Sequence, residues 1–537
     1  MRTRPTRFGT GAAVGLLAAG VALGVSELVA AFVRPAAAPV IAVGNKFILL
    51  TPEPVKAFAI RNFGTNDKNV LLAGIYAVIA ALAIALGIVA LRRLVVGIVG
   101  LCFFGAVGTY SALTTTGHRA SDVVPTLVGV SVAIAVLVLL VGMANGAIAV
   151  PRRGIADRGP DDKAAPDASG AVPRTLLIAG APRRTFLIAG AATAGVAAVA
   201  GSAGRTLQRV RFDASGSRAA VKVPKPVVSA RPLPAGVDLG KSGVPFVTSN
   251  ADFYRVDTAI SVPQLDAQTW QLTIGGKVDT KMTLSFDDLL RRPLIERYIT
   301  LICVSNEVGD RYVSTAKFLG VPLAPMLSEA GVHADADQIL GTSSDGMTIG
   351  TPTSVIMDGR DAMLAVGMND APLPVEHGFP VRMVVPGLYG YVSATKWLIS
   401  LEATTFADRE AYWVKEDWAA KGPILTQSRI DTPKRLGRVT AGRPVPIAGV
   451  AWSPTVGISM VEVQVDDGPW TPARLALMPS ADTWVQWLLP WTPSGAGTHT
   501  IRVRATDGRG QLQDETRRSP FPSGATGWHS VVVQARD

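Results

Sequence analysis

Cysteine is nearly missing from this sequence. Only Cys102 and Cys303 occur in 537 residues, too few for a disulfide framework or a Cys-rich zinc or iron–sulfur site. Histidine is almost as scarce, with five in all. His333, His377, His499 and His529 fall in the C-terminal half without the clustered spacing of a zinc site. His118 stands alone in the N-terminal half, which excludes a bis-histidine haem between apolar helices of this chain. No Gly-x-Ser-x-Gly elbow, P-loop or Cys-x-x-Cys-His haem attachment occurs. Charged residues amount to 17%, against about 25% in an average soluble domain. Mean hydropathy is +0.31, so a wholly soluble or disordered chain is ruled out. The formal charge of +11 suggests nucleic acid until it is divided. Residues 1–204 hold 18 basic and 8 acidic side chains, whereas residues 205–537 hold 34 and 33. The excess flanks the apolar half, as membrane topology requires, and no nucleic-acid partner is expected.

What is present first is apolar length. Four runs, at 11–32, 70–91, 94–113 and 123–147, can each span about 30 Å of hydrocarbon as a helix. A fifth, at 185–204, is weaker and rich in Ala and Gly. Basic residues fix the orientation. Arg2, Arg4, Arg7, Arg92, Arg93 and seven more between 151 and 184 lie on one side. The opposite loops include Lys46, Lys56, Arg61, Lys68 and Arg119. The N-terminal residues are therefore expected inside, and everything after residue 204 outside the cytoplasmic membrane. Residues 151–182 are rich in Asp, Pro and Gly and read as a flexible inner linker. They lead into Arg183-Arg184-Thr185-Phe186-Leu187, which reads either as a twin-arginine-like export signal or as an ordinary basic flank. Glu27 lies inside the first span, where a carboxylate is expensive, and no role is assigned to it.

Residues 205–245 are rich in Pro, Ala and Lys and suit an extended tether. In 246–421 the pattern is mixed α+β. Trp270-Gln271-Leu272-Thr273-Ile274 alternates as a strand with Gly275-Gly276 as its turn, 285–290 is a short capped helix, and 298–304 is a buried strand ending at Cys303. In 422–537 the pattern becomes all-β, with strands near 445–451, 460–465, 483–489, 499–505 and 528–534. Turn signals such as Asp466-Asp467-Gly468 separate them at the spacing of an immunoglobulin-like β-sandwich.

Two stretches of the outer half carry chemistry. Cys303 ends an apolar strand that runs into Val304-Ser-Asn306-Glu-Val-Gly309. A lone cysteine there is either an inert core residue or a thiol placed where ligands are met. The stretch from Pro374 to Trp397 sets His377, Arg382 and Lys396 among glycines and prolines. It reads either as an anion-holding loop or as a solvated one.

Together these stretches resemble the sulfite oxidase family of molybdenum enzymes, in its membrane-tethered bacterial form. The resemblance rests on His377-Gly-Phe-Pro-Val-Arg382, Val385-Pro-Gly and Lys396-Trp397, and on Ser428-Arg-Ile-Asp431-Thr-Pro433 and Arg504-Ala-Thr-Asp507 further on. It covers about 246–534. It implies a Mo-molybdopterin cofactor with Cys303 as thiolate ligand to the metal, a soft donor that leaves other positions open for oxygen-atom transfer. It implies cofactor contacts at Asn250, Tyr254, Arg255, Ser343, His377, Arg382, Ala394, Thr395 and Lys396. One extra residue separates Arg382 from Lys396 relative to the family. Trp418 aligns with the family's active-site tyrosine, and Val308 with an arginine of the sulfite-oxidising members. These departures imply a small-molecule substrate larger and less charged than sulfite.

The resulting expectation has five parts. A four-helix membrane region (1–150) precedes a cytoplasmic linker and fifth span (151–204), a tether (205–245), the molybdopterin domain (246–421) and a dimerisation-type sandwich (422–537). Membrane lipid, an electron-transfer partner of unknown identity and a second copy of the chain are its expected partners. The competing class is a cofactor-free cell-surface binding protein that uses the sandwich for recognition.

Overall fold

The computed structural model describes residues 4–63, 66–115, 117–146, 183–240 and 243–537. The linker expected at 151–182 lies outside the described residues. The chain divides into two compact units, Met1–Pro52 with Phe58–Phe212, and Glu53–Ala57 with Asp213–Asp537.

Up to Arg211 the chain forms helices α1 (Arg4–Val33), α2 (Pro39–Leu50), α3 (Glu53–Phe63), α4 (Asp67–Ala90), α5 (Leu94–Thr114), α6 (Val124–Asn145) and α7 (Arg183–Arg211). Among the described residues, five helices are long and apolar enough to cross a membrane, where only internally bonded backbone is tolerated. Helix α2 has 12 residues, too short to cross. Small residues let the helices touch backbone to backbone, the usual source of cohesion between helices in lipid. A Cβ on Gly15 would lie 1.8 Å from the Ala83 carbonyl oxygen on α4, and one on Gly24 would lie 2.4 Å from that of Ala197 on α7. Glu27 accepts a hydrogen bond from the Gln208 amide at 2.9 Å, and Arg34 is ion-paired with Asp122.

The tether expected from residue 205 is corrected. Helix α7 continues to Arg211, because Arg205-Thr-Leu-Gln-Arg-Val-Arg holds good helix formers and its terminal arginines favour a helix C-terminus. Beyond it, α8 (Ser215–Ala220) and the chain after it form a strap rather than a free linker. Ala214 and Val237 are buried in the core of the second unit, Arg218 donates to the Pro372 and Leu373 carbonyls, and Val227 N–H bonds to Leu294 O at 2.8 Å.

The second unit opens with an α+β layer. Its elements are β1 (Gln271–Gly276), β2 (Met282–Ser285), α9 (Phe286–Leu290), β3 (Ile295–Ile302), β4 (Val313–Pro322), α10 (Leu323–Ala330), β5 (Gln338–Ser343), β6 (Thr348–Pro352), β7 (Met363–Met368), β8 (Ala371–Pro372), β9 (Arg382–Val384) and β10 (Leu398–Thr404). One sheet runs β2-β1-β10-β5-β6, and the other runs β3-β4-β7-β8 with β9 added to β7. Leu272, Ile299, Phe318, Leu364, Phe379 and Met383 are fully buried in the core they share. The Gly275-Gly276 pair, expected as a turn, instead extends β1 against β10. A Cβ on Gly276 would lie 2.2 Å from Ala403 O, so the glycine marks close backbone approach.

The remaining strands are β11 (Gln427–Thr432), β12 (Arg438–Thr440), β13 (Val445–Trp452), β14 (Ile458–Val465), β15 (Thr471–Pro472), β16 (Arg474–Leu475), β17 (Val485–Trp491), β18 (Gly497–Asp507) and β19 (His529–Arg536). They form two sheets, β11-β13-β17-β16 and β12-β19-β18-β14-β15. Ile447 and Trp487 of one sheet pack with Val461, Val503 and Val533 of the other. This β-rich region is not separate from the first layer. Val450, Trp452 and Trp484 lie in the core that also holds Ile299 and Phe318, and Trp484 Nε1 donates to Phe246 O at 3.0 Å.

Candidate active site

Strand β3 delivers Cys303 to the edge of the core. Its N–H donates to Tyr312 O at 3.0 Å, and its carbonyl accepts from Asn306 N at 3.0 Å. Asn306 Oδ1 accepts from Tyr312 N at 2.8 Å, so the loop to β4 is closed on itself and the half-buried thiol has a fixed origin. The Cys303 Sγ lies 2.9 Å from Ser305 Oγ. The loop is held from the β-rich side too. Gly309, at φ +89°, sits on the His529 imidazole, where an added Cβ would come within 2.3 Å, and Arg429 donates to Asp310 O at 2.8 Å.

Arg382 begins β9 and is 5% exposed. Its Nη1 reaches His377 O at 3.3 Å and its Nη2 reaches Ala394 O at 3.5 Å, but its buried Nε has no partner. Burial pulls its pKa down to about 10, partly offset by Tyr254; it therefore remains a cation at neutral pH. Among the described residues no carboxylate pairs with it. Lys396 bonds to Asp257 Oδ2 at 3.0 Å and to Glu376 O at 3.3 Å, and burial lowers its pKa to about 8 despite Asp257. Arg255 shares the same Asp257 oxygen at 3.0 Å. Two cations, Lys396 and Arg255, thus share one carboxylate. Gly378 lets the loop close, since a Cβ there would lie 3.1 Å from both Arg382 Cβ and Lys396 Cα.

His377 Nε2 lies 3.1 Å from Asn250 O. A carbonyl only accepts, so Nε2 carries the proton and Nδ1 is left as an acceptor. Burial, then Arg382 and Lys396, push its pKa down to about 4, keeping the ring neutral. Asn250 is itself fixed, its Oδ1 accepting from Asn369 at 2.8 Å. Three hydroxyls, Ser343, Ser344 and Thr395, are buried without a partner. Ser344 N–H bonds to Trp397 O at 2.9 Å, and a Cβ on Gly341 would lie 2.7 Å from Thr395 Oγ1, so these hydroxyls gather around 394–398. Buried polar groups left unpaired each cost roughly 1–3 kcal/mol. An anionic group rich in acceptors would compensate the unpaired guanidinium of Arg382, so the residues present fit a phosphorylated pterin.

Tyr254 and Ala394 meet the end of β3 around Gly390, where an added Cβ would lie 3.7 Å from Ile302 O, Tyr254 Oη and Ala394 Cβ. Burial and the Cys303 charge raise the Tyr254 pKa far above its ordinary value. Tyr389, given no role by sequence reasoning, is also under the influence of Cys303: burial first, then that charge, push it up to about 12. Asp257 was likewise missed. Trp418 packs in an aromatic cluster with Phe521, Tyr391 and Trp413 at ring distances of 5.3, 5.8 and 6.2 Å. Val308 is buried in the Cys303 loop, while Arg311 and Lys415 are exposed.

Residues 259–413 match the family model described as oxidoreductase molybdopterin binding domain. An uncharacterised oxidoreductase of Bacillus subtilis is 31% identical over 157 residues, covering 29% of this chain and 76% of its own length. The chain belongs to the sulfite oxidase family. Mitochondrial sulfite oxidase of Mus musculus is 29% identical over 343 residues, 54% of this chain and 62% of the mouse protein. The chain therefore spans less than two thirds of that relative. The crystal structure of the sulfane dehydrogenase SoxCD from Paracoccus pantotrophus is similar at a TM-score of 0.47 and 24% identity, covering 53% of this chain and 81% of that one. The family's cofactor is Mo-molybdopterin, and the matched segment is its oxidoreductase domain. It includes Cys303, His377, Arg382 and Lys396.

Proposed function

We propose that this chain is a membrane-anchored molybdenum oxidoreductase whose catalytic unit faces the outside of the cytoplasmic membrane. It performs oxygen-atom transfer or related two-electron chemistry on a small molecule other than sulfite, in exchange with an electron-transfer partner. The observation that carries the reading is Arg382, a buried guanidinium that pairs with no carboxylate among the described residues and has an orphaned Nε, together with the unpartnered buried hydroxyls of Ser343, Ser344 and Thr395. A cofactor-free binding protein would leave that cluster uncompensated.

Cys303 would supply the thiolate to the metal. Arg382 and Lys396, with Ser343, Ser344 and Thr395, would hold the phosphate and pterin, bordered by Asn250, Tyr254, Arg255, His377 and Ala394. When bound, the cofactor supplies the two-electron chemistry. Neutral His377 offers Nδ1 as an acceptor without adding charge. Tyr389 keeps its proton at neutral pH, and its oxygen accepts from Leu425 N at 3.4 Å. Buried Val308 and exposed Arg311 and Lys415 support a pocket poor in guanidinium, and Asp257 already engages Arg255. A bare dianion needs several such groups, so an S- or N-oxide or an organic donor fits better. Basic residues flanking the spans support the orientation, and the paired sheets of the β-rich region support the immunoglobulin-like reading.

The test is metal and pterin analysis of the purified chain, followed by steady-state assays with sulfite and with S- and N-oxides. About one molybdenum per chain is expected; a fully active metal-free protein would overturn the reading. Sulfite affinity in the low micromolar range with tens of turnovers per second would overturn the substrate class alone.

A further inference from the structure

The helix bundle holds a second site. Among the described residues of the first unit, a cavity of about 510 Å³ lies between α1, α2, α4, α5 and α6. Among the described residues no charged side chain lines it, and Phe47 and Phe104 contribute aromatic walls. One polar group in it is unsatisfied. Thr126 is 2% exposed, lines the cavity, and its Oγ1 has no partner.

Helical hydroxyls in apolar surroundings ordinarily donate to the carbonyl four residues back. Thr114, Thr115, Ser131, Thr193 and Ser202 all do so. Thr126 follows the Pro125 that opens α6, and four residues back lies Asp122 in a 3-10 turn; that bond is not made. Ser26, the other lining hydroxyl, is already on Pro125 O at 2.8 Å. Thr109 is also unpartnered but does not line the cavity. Among the described lining residues, the one unpaired donor therefore sits in the wall of an apolar cavity bordered by two phenylalanines. An acyl chain supplies no acceptor, and a charged head group would find no counter-charge. A flat, neutral ring bearing a carbonyl satisfies every feature.

We propose that this cavity binds a membrane quinone, with a ring carbonyl accepting the Thr126 hydroxyl. The proposal rests on the membrane reading of the bundle and not on the cofactor site. It is tested with the full chain in lipid nanodiscs and a tritiated naphthoquinone carrying a two-isoprene tail. Saturable binding near one per chain is expected. Thr126→Val, which keeps the shape and removes the donor, is expected to weaken it about fivefold, the loss of one neutral hydrogen bond. Gly74→Leu is expected to abolish it, since Gly74 lines the cavity and nothing lies within 4 Å of its added Cβ. Molybdenum content, read on the same samples, should not change. Absence of saturable binding, equal affinity in both variants, or displacement by an equal concentration of phosphatidylglycerol would each overturn the proposal. The last result would mark the cavity as an acyl-chain site.

Discussion

Replacing Arg382 with methionine separates a ligand-holding arginine from a structural one. In the cofactor-free protein the guanidinium is a buried charge whose pKa falls from 12.5 to about 10, equivalent to roughly 3 kcal/mol of unfavourable burial at neutral pH. Its contacts to His377 O and Ala394 O are long, at 3.3 and 3.5 Å, and its Nε bonds to nothing. Methionine removes the charge and keeps much of the length, so the cofactor-free variant is expected to be as stable as its parent or more so. The cofactor-loaded state should respond in the opposite sense. Removing one partner of a buried charged pair costs about 2–5 kcal/mol, or a thirtyfold to several-thousandfold loss in affinity. The assay is thermal unfolding of protein from a host that makes no molybdopterin, beside molybdenum content from a host that does. A fall of 5 °C or more in the cofactor-free variant, with molybdenum retained, would refute the reasoning.

Cys303→Ser is expected to abolish turnover with the fold intact, because a hydroxyl is a harder and less donating ligand; wild-type turnover at full molybdenum occupancy would remove Cys303 from the mechanism. Acid should destabilise the catalytic unit through two histidines. His377 and His529 fall from 6.5 to about 4 when folded, so the unfolded state binds more protons below pH 6.5. Stability is then lost as pH falls from about 6.5 to 4, by roughly 3 kcal/mol per histidine. His529→Gln should remove half of that slope in denaturant titrations, and an unchanged slope counts against it. Replacing Arg183 and Arg184 with lysine should leave the catalytic unit protease-protected inside intact spheroplasts, whereas unchanged surface exposure would favour an ordinary basic flank. The β-rich region should mediate self-association, as the family resemblance implies; a strict monomer of residues 205–537 at high micromolar concentration in analytical ultracentrifugation counts against it.

The long apolar runs were legible because bilayer thickness sets their length, a constraint that acts within one segment. Helix α2 was not, since 12 residues fall below that length. The strap after α7 was read as a tether because its composition is that of a linker. Only distant partners such as Leu294, Pro372 and Leu373 reveal that it is bound down. At the site, Cys303, His377, Arg382 and Lys396 stood out by motif. Tyr389 lay between Arg382 and Lys396 without any local mark that the Cys303 charge acts on it. Asp257 is an ordinary acid until folding buries it between Lys396 and Arg255. Gly275-Gly276 misled because glycine serves turns and close strand approach equally, and sequence carries no sign of which backbone comes near.

The placing of Trp484 and His529 against the first layer bears on how the protein can be taken apart. Trp484 N–H donates to Thr300 Oγ1 at 2.8 Å and Thr300 N–H to Asp482 O at 2.9 Å, so β3 is stitched to the β-rich region just before it delivers Cys303. The two layers should therefore melt in a single cooperative step. Backbone amides from 303 to 312 should exchange with solvent as slowly as those of the central strands, although they belong to a loop. Truncation near residue 421 would strip the cover from the Phe246 carbonyl and release the Gly309 turn. The thiol would then swing on a floppy hinge, which makes the β-rich region a rigid mount for it.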